Sequence, residues 1–172
     1  MRFEELDDHV DYFVLVESIE TQRGTPKPLY FAENREQFQT YLHKIIHVVV
    51  NEAHPEMGKW ERENFQRNCI MRGLTSCTNE DMIMISDVDE IPRPEIVDLL
   101  SKKYRFAKRA IALDMDIYFY QLNRQMKTTE TWGGGRWTGT VILSLNLLKK
   151  LSPQVFRTHK EYLLSIGFLA PY

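Results

Sequence analysis

Apolar and polar positions along the chain follow two alternating periods. Val10-Asp11-Tyr12-Phe13-Val14-Leu15-Val16-Glu17 is β-branched and aromatic, which predicts a strand ending at Ser18. Ile45 to Val50 and Met82 to Ile85 are further apolar runs, the latter expected as the buried central strand, and more strands are expected from Arg109 to Tyr120 and Thr138 to Leu143. Between them the spacing turns helical. Residues 2 to 8 read as the last turns of a helix, and Asn34 as the N-cap of another through Lys44, with Phe38, Tyr41 and Leu42 as its buried stripe. Phe65, Cys69, Ile70, Leu74 and Cys77 predict a longer helix from Lys59 to Cys77. Helices also follow from Pro94 to Lys103 and from Leu145 to Leu151, while Thr21 to Pro28 and Trp132 to Arg136 are loops. Strands alternating with helices predict an α/β fold whose sheet is at least partly parallel. With 172 residues and no internal repeat or linker, residues 1–172 are expected to form a single domain.

The chemistry concentrates at the end of the third apolar run. Ser86-Asp87-Val88-Asp89-Glu90-Ile91-Pro92 sets three carboxylates within four positions, and Pro92 and Pro94 restart the chain as a helix. Ligands of open α/β sheets bind beyond the carboxyl ends of strands. If extended backbone runs through Asp89, then Asp87 and Asp89 share a side and Glu90 turns to the other. Paired carboxylates call for a cation or a proton, and a hard divalent ion completed by diphosphate oxygens satisfies them. The competing reading is a set of acids at the positive end of the next helix, with Glu90 and Glu95 in that role.

Composition narrows the classes. A hydrophobic content of 43% excludes a disordered chain, and 22 basic against 24 acidic residues give no reason to expect nucleic acid as a partner. Cys69 and Cys77 fall in or near one helical stretch and read as reduced packing residues, and the histidines as non-ligands. No run approaches the roughly 20 apolar residues that span a bilayer, and the amino terminus lacks the apolar core of a secretion signal. The chain as it stands is therefore expected to be cytoplasmic, with no membrane segment.

Four blocks carry a resemblance: Asp11 to Ser18, then Lys27-Pro28-Leu29-Tyr30-Phe31, then Trp60 with Glu63, Gln66 and Arg67, then Ile85 to Pro92. In that order they resemble glycosyltransferase family 17, in its bacterial or viral form. The resemblance implies a GT-A-like, mostly parallel sheet flanked by helices, and an inverting transfer of N-acetylglucosamine from a UDP-N-acetylglucosamine donor to a glycan acceptor. It also implies a divalent cation, usually Mn2+, at the D-x-D motif. Two departures accompany it. The chain begins inside the helix that should follow the first GT-A strand, and the family's glycine-tryptophan-histidine block near the carboxyl end has no counterpart. Truncation at both ends is therefore expected.

Within that frame Asp89 is the candidate for direct metal coordination, with Asp87 as a second ligand or as a partner of the ribose or of a cation-bound water. Arg67, with Glu63, is the candidate for the donor diphosphate, since a guanidinium binds phosphate oxygens in a bidentate way; the alternative is an exposed i, i+4 ion pair. Inversion needs a general base for the acceptor hydroxyl. Asp114 and Asp116, at one parity of a strand, and Glu130 beside the glycine loop are the candidates, against the alternative of solvated outward groups. Trp132 to Trp137 reads either as a lid or acceptor platform or as a tight connection with packed indoles. Two other functions stay open: a truncated, non-catalytic nucleotide-sugar-binding or interaction protein, and an unrelated metal-dependent phosphoryl-transfer enzyme.

Overall fold

A computed structural model describes residues 1–104, 110–118, 124 and 136–159. The chain divides into two compact units, Phe3–Cys77 together with Met1, and Thr78–Tyr172 together with Arg2. Among the described residues no helix is long and apolar enough to cross a membrane.

In the first unit, the part of α1 (Arg2–Leu6) from Phe3 onward and a 3-10 turn lead into β1 (Phe13–Ser18), which pairs in parallel with β2 (Ile45–Val50), Phe13 opposite Ile45 and Ser18 opposite Val50. Alternation sorts the side chains. Val14, Val16, Ile46, Val48 and Val50 gather with Cys69 and Phe65, the latter from α3 (Lys59–Asn68). Val48 and Val50, the buried valines of this group, contribute about 1.5–3 kcal/mol each. The opposite parity brings Glu17 beside His47, their Oε2 and Nε2 atoms 3.1 Å apart. Buried Glu17 also accepts from the Phe31 amide at 2.9 Å, at the start of α2 (Tyr30–Glu33), and the Phe31 ring meets His47 edge-on at 4.8 Å. That carboxylate is thereby satisfied inside the unit, as a buried charge must be. Burial pushes the Cys69 thiol up, which suits the inert packing residue expected.

Gly73 closes this unit. A Cβ there would lie 2.5 Å from Val14 Cγ1 and 3.2 Å from Val48 Cγ2. Gly73→Ala is expected to destabilise the protein by about 1–3 kcal/mol through overpacking. The check is a lowered urea midpoint at unchanged slope; an unmoved midpoint contradicts this packing.

The second unit runs β3 (Met82–Ile85), α4 (Pro94–Tyr104), β4 (Ile111–Asp116), β5 (Arg136–Ser144), α5 (Leu145–Leu148) and α6 (Pro153–Thr158). Its sheet has the order β3-β5-β4, with β5 antiparallel to both neighbours. Leu100, Ile111, Leu113 and Ile142 form a core cluster, with Met82, Met84, Ile96 and Met115 against it. Serines start both short helices: Ser144 Oγ accepts from the Leu147 amide, and Ser152 Oγ from the Val155 amide with Pro153 next in line.

Three expectations change. Among the described residues the sheet is not mostly parallel: one parallel pair and one antiparallel three-stranded sheet form instead. The alternation β3-α4-β4 does leave β3 and β4 pointing the same way, but β5 inserts between them and reverses both pairings. For the same reason β5, and not β3, is the middle strand of that sheet. Two of the three helices expected in the first unit also lose regular α geometry over part or all of their length. Residues 35–44 form a 3-10 stretch kinked at Phe38, and α3 gives way to 3-10 geometry over Cys69–Gly73.

Candidate active site

β3 stops at Ile85, and the acidic run that follows folds back on itself instead of continuing extended. The Glu90 amide donates to the Asp87 carbonyl at 3.1 Å, and Glu90 Oε2 accepts from the Asp87 amide at 3.0 Å. The second bond is one half of a capping box, in which an acid three residues on reaches back to the leading amide; the other amide is taken by a backbone carbonyl instead of a side chain. Val88 and Asp89 are consequently thrust into solvent at the tip of the turn, while Glu90 is buried beneath it.

Glu90 is therefore neither turned away nor a loose helix-start acid, as period 2 had implied. Its Oε1 accepts from Trp137 Nε1 at 2.5 Å and from Arg157 Nη2 at 2.7 Å. The same Arg157 nitrogen donates to Asp87 Oδ2 at 2.8 Å, and Nη1 donates to the Gly139 carbonyl. Gly139 lies close beneath these side chains: a Cβ would stand 2.8 Å from Met115 Sδ and 3.1 Å from Glu90 Cδ, so both would have to give way. Arg2, grouped with this unit, donates to the carbonyls of Asp87 and Glu90 at 3.1 and 2.8 Å and to Ser86 Oγ at 2.5 Å. Burial pulls its guanidinium below the ordinary value, against the opposing field of Glu90, Asp87 and Asp89. Two guanidiniums thus serve the acidic turn, Arg157 through the carboxylates of Asp87 and Glu90 and Arg2 through backbone carbonyls and Ser86.

The remaining candidates are distributed over both units. Glu63 and Arg67 form the i, i+4 pair on α3, at 2.9 Å, and Gln22 Nε2 joins Glu63 at 3.0 Å. Asp114 and Asp116 lie on β4 opposite Thr138 and Arg136, flanking Met115. Met115 pairs with Trp137 and approaches Gly139, so alternation turns the two aspartates to the other face of the sheet. Glu130 and residues 132–135 of the glycine loop fall outside the described residues; Trp137 lies in β5, its indole anchored on Glu90. Sequence reasoning missed Arg157 and misplaced Glu90.

The chemistry of the donor set bears on the expected cation. Among the described residues no group of three or more His, Cys, Asp or Glu side chains could hold a metal. Asp87 keeps 44% of its side chain exposed, and Asp89 is exposed. Such a pair does not form an all-protein cage. It suits a hard cation that takes one or two carboxylates and fills its shell with diphosphate and water oxygens.

The first unit carries a shallow cleft of its own, with a cavity volume of only about 10 Å³, at the carboxyl ends of β1 and β2, where Ser18 and Val50 meet Glu52, His54, Arg62 and Gln66. Arg62 Nη2 donates to the His54 carbonyl at 2.8 Å, and Gln66 Nε2 to the Val16 carbonyl at 3.2 Å.

Comparison with known proteins places this geometry in context. The family model for glycosyltransferase family 17 matches residues 1–136, which include the acidic turn. The chain is 34% identical over 100 residues to the beta-1,4-mannosyl-glycoprotein 4-beta-N-acetylglucosaminyltransferases of Homo sapiens and Rattus norvegicus, and 33% identical to that of Mus musculus. Each of these matches covers 54% of this chain and 19% of the relative, so the chain spans about a fifth of the length of the relatives it matches. No solved structure matches it. With the family model spanning most of its length, the chain belongs to glycosyltransferase family 17.

Proposed function

We propose that this chain carries the donor-binding part of an inverting N-acetylglucosaminyltransferase with a GT-A-like arrangement, moving the sugar from UDP-N-acetylglucosamine to a glycan acceptor. The observation that carries the reading is the Ser86 to Pro92 string, which lies within the family match and folds into a turn that holds Asp89 in solvent and Asp87 half-exposed at the end of β3. Asp89, assisted by Asp87, would hold a divalent cation, Mn2+ by the family resemblance. When bound, that ion supplies Lewis-acid neutralisation of the charge that develops on the departing diphosphate, worth several kcal/mol.

The chain's own residues have separate tasks in this scheme. Glu90 keeps the turn closed from below. Arg67, with Glu63, is assigned to diphosphate oxygens. An acceptor hydroxyl must pass its proton to a carboxylate within hydrogen-bond reach, and Asp116, Asp114 and Glu130 are the groups proposed for that step.

The Arg157–Asp87 ion pair favours a second reading, because a guanidinium already neutralises one of the two acids. In it, the chain binds a nucleotide sugar or a partner without transferring anything. Release of UDP separates the two. Incubation of the chain with UDP-N-acetylglucosamine and Mn2+ is expected to liberate UDP slowly, by transfer to water, and EDTA should stop it. Binding with no UDP formed over days supports the non-catalytic reading.

A further inference from the structure

We propose that Arg157, which lies beyond the stretch matched by the family, is the positioning residue of the acidic turn. Its role in donor binding rests on the function proposed above; its role in holding the turn does not. Arg157 is 5% exposed and spends its fork on three acceptors from two places in the chain: Asp87 Oδ2 and Glu90 Oε1 through one nitrogen, and the Gly139 carbonyl through the other. Because one nitrogen bonds both carboxylates, their oxygens are held within two hydrogen bonds of each other. Two anions at that separation repel unless a cation stays between them.

A solvated divalent ion does not fill this internal position, since Glu90 is buried and its Oε1 also carries the Trp137 indole. Arg157 therefore makes the turn independent of the metal. It sets Asp87 in one orientation before any ligand arrives, leaves the exposed tip at Asp89 to meet the donor, and fixes the Trp137 ring through Glu90. The guanidinium suits this task because its donors are coplanar and rigidly spaced, whereas a lysine ammonium is a point charge on a flexible stem. Arg157 touches neither sugar nor phosphate in this scheme. It acts through Asp87 and Glu90.

The test compares the wild-type chain with Arg157→Lys, which keeps the charge and is the variant most able to fold, and with Arg157→Met. In 15N-labelled protein at low temperature, the indole N–H resonance of Trp137 is followed against that of Trp60. Arg157→Lys is expected to shift the Trp137 signal and speed its hydrogen exchange at least about tenfold, the loss of roughly one strong contact, while Trp60 is unmoved. An unchanged Trp137 resonance and exchange rate in folded Arg157→Lys overturns the proposal. Calorimetry with UDP-N-acetylglucosamine and Mn2+ gives the second reading: affinity falls in Arg157→Lys if Asp87 is positioned by the fork, and equal affinity in the two folded proteins overturns that part. If wild type itself binds no donor, the proposed function fails, and the indole comparison alone decides the role of Arg157.

Discussion

Replacing Glu90 by alanine is expected to destabilise the protein by about 3–5 kcal/mol, the range for removing one partner of a buried ion pair. The size follows from what the carboxylate serves. Its loss leaves Arg157 buried without one of its counter-charges and leaves the Trp137 indole and the Asp87 amide without their acceptor. Glu90→Gln keeps the shape and an acceptor oxygen, so it should lose less, about 1–3 kcal/mol. Urea unfolding followed by tryptophan fluorescence and circular dichroism measures both. Were Glu90 a solvent-facing acid at a helix start, alanine would change stability by no more than about 0.5 kcal/mol, and a loss that small contradicts its place beneath the turn.

Asp89→Ala should behave in the opposite way. The side chain is exposed at the tip, so stability should stay within about 0.5 kcal/mol of wild type. Cation-dependent binding of UDP-N-acetylglucosamine should instead fall by at least about a hundredfold, which corresponds to about 2.7 kcal/mol. Calorimetric titration in the presence of Mn2+ gives the affinity, and a thermal melt gives the fold. Affinity unchanged in a folded Asp89→Ala protein would falsify its assignment as the metal ligand. Taken together, the two substitutions divide the acidic run into an inner carboxylate that holds structure and an outer one that meets the donor.

That division was only partly legible in the sequence. The apolar runs located the strands well, because a buried strand needs nothing beyond its own residues to declare itself: β2 and β3 begin and end where the hydrophobic stretches do. Strand direction was not legible, since the position of β5 between β3 and β4 depends on residues far apart in the chain. The 3-10 stretches look like α-helix in the sequence because apolar side chains at helical spacing are alike in both, and Phe38 breaks the first through its backbone angles.

At the site, Glu90 departs from the expected side because period 2 ends with β3 at Ile85. A signal was present. Asp87-x-x-Glu90 is the spacing of a capping box, and it predicts a turn that points Glu90 back at the Asp87 amide. Arg157 left a weaker trace: Ser152-Pro153 marks a helix start, which locates α6 but not the direction of its arginine. The Glu90–Trp137 bond, between residues 47 apart, had no trace in a single sequence. Asp87 and Asp89 were legible as chemistry because acids concentrated at a strand end are costly without a counter-charge. The counter-charge provided inside the protein for Asp87 is an arginine, which the sequence alone had not suggested.

The most direct measurement is a calorimetric titration of the wild-type chain with UDP-N-acetylglucosamine, once with Mn2+ and once with EDTA. Saturable binding with the metal and none with the chelator is the result expected of a donor held through a cation at the acidic turn. Equal heats in the two titrations, or no heat in either, would contradict it.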